Sequence, residues 1–290
     1  MSAKVKRMHR RALNRSYGGD VPIYIFLTLC GVFMILPMVY AISSSLKPMD
    51  ELFLFPPNFW VHNPTMQNFS DMLRVLNTSW VPFSRYVFNT VFITAVGTGG
   101  HLIIASMCAF ALAKYKFPGA SLMFNIVVLA LMFNATVTQI PNFLIMSKLG
   151  WMDSYMALIV PAFAYPLGLY LMKQFMEQML PDSLLEAAQI DGANKLVIFW
   201  RIAMPLVKPA WLTLIIFSFQ TLWNLGSSIY IQSEALKTMN YALSQILAGG
   251  IARAGTGAAA TVTMMIPPIL LFVVSQSNIV TTMSTSGMKD

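Results

Sequence analysis

Predominantly apolar stretches recur along this chain at about 21–44, 86–113, 122–146, 155–175, 210–230 and 259–280. Each is long enough to cross a bilayer, whose hydrocarbon takes about 20 residues of helix. Backbone polar groups find no water there, so such segments must close their hydrogen bonds internally as helices. The pattern predicts an all-α fold, a polytopic membrane protein with six transmembrane helices. Composition agrees: 57% of residues are hydrophobic and 10% charged, whereas a soluble domain carries about a quarter charged residues.

The ends and connectors give the expected topology. Lys4, Lys6, Arg7, Arg10, Arg11 and Arg15 crowd into residues 1–20, just before the first apolar run. That placement marks a cytoplasmic basic tail beside anionic lipid, and with it the net charge of +8 needs no nucleic-acid partner. The run that follows exceeds a signal-peptide core, although Ala41-Ile42-Ser43 loosely resembles a cleavage site; a retained first span is expected. Lys47 to Ser84 is broken by Pro48, Pro56, Pro57, Pro64 and Pro82 and should lie outside, with a short helix near 66–75. Six spans put both termini in the cytoplasm, with 281–290 as a C-terminal tail, and place 13 of the 19 basic residues inside. The cell membrane is the expected location.

One polar stretch stands out between the fourth and fifth runs, within 177–209. Ser183 and Glu186 have the spacing of a capping box, which predicts a helix starting at Ser183. Gly192 supplies a left-handed stop, and Asn194 can cap a second helix to about Ala203. Pro205 disfavours helix at the residue before it. The product is a helix-turn-helix with alanines at its elbow, where another protein can approach closely.

Glu186, Ala187, Ala188 and Gly192 stand where the permease subunits of bacterial ATP-binding cassette importers carry their cytoplasmic EAA loop. Asp191, Ala193, Phe199, Pro205 and Pro209 resemble the carbohydrate-importer version of that loop. The resemblance implies that Glu186 to Arg201 docks against a separate ATPase. The chain would then bind no cofactor, with ATP and Mg held by two ATPase partners. It also implies a second, homologous permease subunit and an extracellular solute-binding protein. The residues Ser275 to Lys289 resemble the family's C-terminal end, implying a second ATPase contact at Gly287 to Lys289.

Polar residues inside spans are costly and tend to face other helices or a water-filled route. In the fifth run Gln220, Asn224, Ser227, Ser228 and Tyr230 recur at helical spacing beside Trp223, and amides, hydroxyls and a ring face suit a sugar or oligosaccharide. Asn134, Thr136, Thr138, Gln139 and Asn142 form a comparable cluster in the third run, interrupted by Pro141, a site for a bend. Such residues also join membrane helices to each other. Trp223-Asn224 is similar to sugar permeases, while Leu225-Gly226-Ser227-Ser228 departs from them. His101 beside Gly99 and Gly100 reads as a packed histidine, and Cys30 and Cys108 as buried thiols. No metal, nucleophile or phosphate-loop motif is present. A membrane enzyme acting on lipid or glycan, and a passive channel, are the alternative readings.

Overall fold

A computed structural model describes residues 17–286 apart from Ser79 and Asn134, with the side chains of 17–20, 135, 251, 252 and 277–286 set aside. Among the described residues the fold is all-α, without strands. Its helices are α1 (Tyr17–Leu46), α2 (Gln67–Asn77), α3 (Phe83–Lys114), α4 (Ala120–Leu131), α5 (Ala135–Lys148), α6 (Met156–Phe163) and α7 (Pro166–Met179). They continue with α8 (Asp182–Ile190), α9 (Lys195–Ile198), α10 (Lys208–Trp223), α11 (Met239–Leu247) and α12 (Ala254–Ser286). Val21–Leu46, Phe83–Lys114, Met156–Met179 and Ala254–Gln276 are each long and apolar enough to cross a membrane; two bent pairs raise the number to as many as six.

Helix α3 is the axis of the molecule. It packs against α6, α7, α10 and α11, and three apolar clusters line up along it. At its Lys114 end, Ala105, Ala109 and Phe110 meet Met172 and Met176 of α7 and the polar hairpin's inner face. In the middle, Ile93 meets Leu158, Ile159 and Ala162 of α6 and Leu222 of α10. Toward Phe83, Tyr86 joins a cluster with Met72, Trp223, Leu243 and Ala260. Small residues allow the close approach: Gly97, Gly100 and Gly168 sit where an added Cβ would strike Leu222, Phe163 or His101.

Several expectations are corrected. The third run is two helices, α4 and α5, whose axes differ by 114°. The break is not at Pro141, which lies inside α5. Instead the amides of Met132 and Phe133 turn back onto Leu129 and Ala130 at 3.0 and 3.3 Å, tightening and ending α4. Helix α10, in the fifth run, stops at Trp223, so Asn224, Ser227, Ser228 and Tyr230 are not on a helical face with Gln220. The side chains of Thr238 and Asn240 capture the carbonyls of Leu225 and Asn224, both at 2.6 Å, offering the chain partners that a continued helix would have supplied. At 16 residues α10 is about 24 Å long, short of the roughly 30 Å hydrocarbon core. The last helix begins at Ala254, inside the expected outer connector, and runs to Ser286, through the first part of the expected tail. Cys108 is exposed on α3 and Cys30 half-buried, rather than both being enclosed.

Candidate functional site

The hairpin α8–α9 is built from local rules. Helix α8 begins one residue earlier than the capping box predicts, at Asp182, with Pro181 as its cap residue and no side-chain cap. Asp182 accepts a hydrogen bond from Lys114 at 2.8 Å, which ties the start of α8 to the end of α3. At the other end, Gly192 has φ +82°, and two bonds close the helix: Gly192 N–H to Gln189 O and Ala193 N–H to Ala188 O, each 3.0 Å. This is the paired closure of a Schellman motif, in which only glycine takes the left-handed position without strain. Asn194 then caps α9 through Val197 N–H at 2.8 Å. The chain continues through a wide turn, Phe199–Ala203, in which Met204 N–H reaches Phe199 O. That widening accommodates Pro205, which follows Met204 without ending the helical path, contrary to expectation.

The hairpin has a buried and an exposed side. Leu185, Ala188, Ile198, Phe199 and Ala203 face inward, and Phe199 lies 5.5 Å from the Phe110 ring of α3. Ala188 and Phe199 are therefore anchors to this chain's own core and offer little surface. Glu186, Ala187, Asp191, Gly192, Arg201 and Pro205 are exposed, and Ala193 is half-buried. Between them stand uncovered apolar side chains, Ile190 at 86%, Leu196 at 59% and Trp200 at 48% exposure. Such an apolar ridge set among charged groups on a polar loop is the composition of a protein-binding surface.

Lys114 fixes where this surface sits. It lies in the last turn of α3, with its side chain only 7% exposed, and donates to Leu180 O at 2.6 Å as well as to Asp182. The Lys114 hydrogen bond and charge hold the Asp182 carboxyl below its ordinary range. Lys195 rests 4.7 Å over the Tyr115 ring. The sequence shows Lys114 only as a charge flanking a span; its role as a clamp requires the ends of α3 and α7 to meet.

At the opposite end of α3 the pathway residues divide. Trp223 is buried, stacks on Phe219 at 5.4 Å and donates its indole N–H to Met264 O at 3.2 Å, so its polar atom is committed to α12. Gln220, Asn224 and Ser227 are exposed, and Ser228 and Tyr230 half-buried. The 224–230 segment is pinned by Asp153, whose amide donates to Tyr230 O at 2.8 Å and whose carboxylate accepts from Gln232 and Ser233 amides at 3.0 and 2.8 Å. Hydrogen bonds from the Ser233 hydroxyl and amide push the Asp153 carboxyl below its ordinary range. In the third run, Thr138 is half-buried while Gln139 and Asn142 are exposed on α5, of whose described side chains only Met146 is buried; Asn134 lies outside the described residues. His101 is packed as expected, 1% exposed, with Nδ1 3.1 Å from Phe163 O at the break between α6 and α7.

A bundle of apolar helices around α3, with a polar hairpin at one end and a non-helical polar segment at the other, defines a multi-span membrane protein. Among the described residues no group of His, Cys, Asp and Glu is arranged to hold a metal. Residues 21–285 match the family described as binding-protein-dependent transport system inner membrane component, and the chain belongs to that family. It is thus a transport subunit and not an enzyme. It is 33% identical over 251 residues to Protein LplC of Bacillus subtilis, covering 84% of this chain and 80% of that one. It is 31% identical to the polygalacturonan/rhamnogalacturonan transport system permease protein YtcP of the same organism, covering 79% and 78%. Its fold is similar to a chain of a bacterial ABC transporter involved in the import of the acidic polysaccharide alginate, with TM-score 0.76 and 24% identity over 92% of this chain and 99% of that one.

Proposed function

We propose that this chain is the permease subunit of an ATP-binding cassette importer that carries a sugar or oligosaccharide across the cytoplasmic membrane. It works with a second, similar permease, two ATPase subunits that hold ATP and Mg, and an external solute-binding protein. The observation that carries the reading is the hairpin: a surface of Glu186, Ala187, Ile190, Leu196, Trp200 and Arg201, held in one orientation by a Schellman closure, an asparagine cap and a buried clamp. Such a surface suits a partner that moves it as a rigid lever. With both termini cytoplasmic the hairpin lies where ATP is available. The saccharide reading draws on the names of the relatives, which include arabinooligosaccharide and polygalacturonan permeases.

Gln220, Asn224, Ser227, Ser228 and Tyr230, with Thr138, Gln139 and Asn142 of α5, supply the polar side of the route. A non-helical backbone at membrane depth is tolerated where it lines a cavity or is covered by protein, which suits the 224–230 segment. The test is purification of the complex through this chain, followed by ATP hydrolysis with and without the cognate binding protein and candidate saccharides. Loaded binding protein should accelerate hydrolysis. A complex without any ATPase, or Lys195 labelled only from outside intact cells, would overturn the reading.

A further inference from the structure

Helix α3 is gripped at both ends by side chains that bind loop carbonyls rather than its own backbone. Lys114, 7% exposed, donates to Leu180 O and Asp182 Oδ1 at 2.6 and 2.8 Å, joining the end of α3 to the end of α7 and the start of the hairpin. About 37 Å away by helical rise, Asn89 is fully buried and donates both amide hydrogens, to Ala235 O at 2.9 Å and Lys237 O at 2.8 Å. The next residue of that loop, Thr238, donates to Leu225 O at 2.6 Å, so the loop gripped by Asn89 itself grips the end of the pathway segment. Both grips lie on one unbroken helix of 32 residues without proline.

We infer that α3 is the connecting rod of this subunit, with Lys114 and Asn89 as positioning residues that transmit movement of the hairpin to the polar segment 224–230. The inference rests on the proposed transport function and adds the route within this chain. Other parts of the fold are less suited to the task. The α4–α5 pair changes direction by 114°, α6 and α7 are separated at Ala164 and Tyr165, and α10 joins the hairpin through a bend of 82°. An unbroken helix clamped at both ends carries displacement, because its backbone bonds resist compression and bending more than a break does.

Spatial continuity alone does not demonstrate coupling, so the test measures a response at one end to an event at the other. In the intact complex, with Cys30 and Cys108 replaced by alanine, Ser227→Cys reports the pathway segment through its labelling rate with a water-soluble maleimide. ATP with vanadate should change that rate. Lys114→Met should abolish the change in a complex that still assembles and binds ATP, while Lys114→Arg, which keeps the charge and its donors, restores it. Asn89→Leu should abolish it as well, and the double variant should be no worse than either single one, since both interrupt the same rod. A nucleotide response surviving in Lys114→Met, or one lost additively, overturns the rod alone. A complex in which the Ser227 site never responds to nucleotide overturns both the rod and the transport reading beneath it.

Discussion

Replacing Gly192 in turn by asparagine, alanine and valine separates the backbone demand of the hairpin from any demand for space. At φ +82° the residue is left-handed, yet a Cβ built on it meets nothing within 4 Å, so the penalty is conformational alone. For an ordinary L-residue that penalty is about 1–2 kcal/mol, enough to shift a local opening equilibrium roughly 5- to 30-fold. Asparagine, which tolerates the left-handed region, should cost least, and β-branched valine most. The amides to watch are Gly192 itself, or its replacement, and Ala193, whose bonds to Gln189 and Ala188 close the helix. Hydrogen exchange of peptides covering 182–198 in the purified complex should accelerate in the order asparagine, alanine, valine. ATP hydrolysis stimulated by loaded binding protein should fall in the same order while the subunit remains inserted. Wild-type exchange in Gly192→Val would refute the argument that this conformation holds the hairpin, and unimpaired transport would refute the lever.

Gly168→Ala should destabilise through space rather than conformation. Its Cβ would lie 2.1 Å from His101 Nε2 and 2.2 Å from Leu214 Cδ1, both in the packed interior, for an over-packing cost of about 1–3 kcal/mol. A lowered thermal midpoint of the purified complex checks this, with Gly99→Ala, where an added Cβ meets nothing, as the control that should not lose stability. The Asp153 clasp should depend on pH with a defined sign. Its carboxyl is lowered from an ordinary 3.8, so its contribution is fully present above that value and is lost only as pH falls through the lowered folded value. Protease sensitivity of residues 228–233 should therefore be unchanged across neutral and mildly acidic pH, whereas Asp153→Ala should raise it throughout.

Local structure was legible where it depends on neighbours in sequence. The stop at Gly192 and the cap at Asn194 follow from what each residue does to its own backbone, and both form at the expected positions. The capping box at Ser183 did not form: the helix starts one residue earlier, at Asp182 behind Pro181, with no side chain capping it, and Asp182 is instead tied to the distant Lys114. Pro141 misled for a related reason: a proline marks where a helix can be interrupted, whereas α4 actually ends at Met132 and Phe133, where no glycine or proline gives warning. Trp223 read as part of an open route, yet its indole N–H is spent on Met264, a residue 41 positions away.

Hydrophobicity is written residue by residue, so the sequence by itself determined an all-α membrane protein, its apolar runs and the hairpin between the fourth and fifth of them. Tertiary structure decided which faces of those helices are available. It turned Ala188 and Phe199 inward and left Ile190 and Trp200 uncovered, ended α10 early, and brought Lys114 and Asn89 onto carbonyls far along the chain. The physical reason is that a buried polar group must find a partner, and that partner is supplied by whichever segment folding brings within reach.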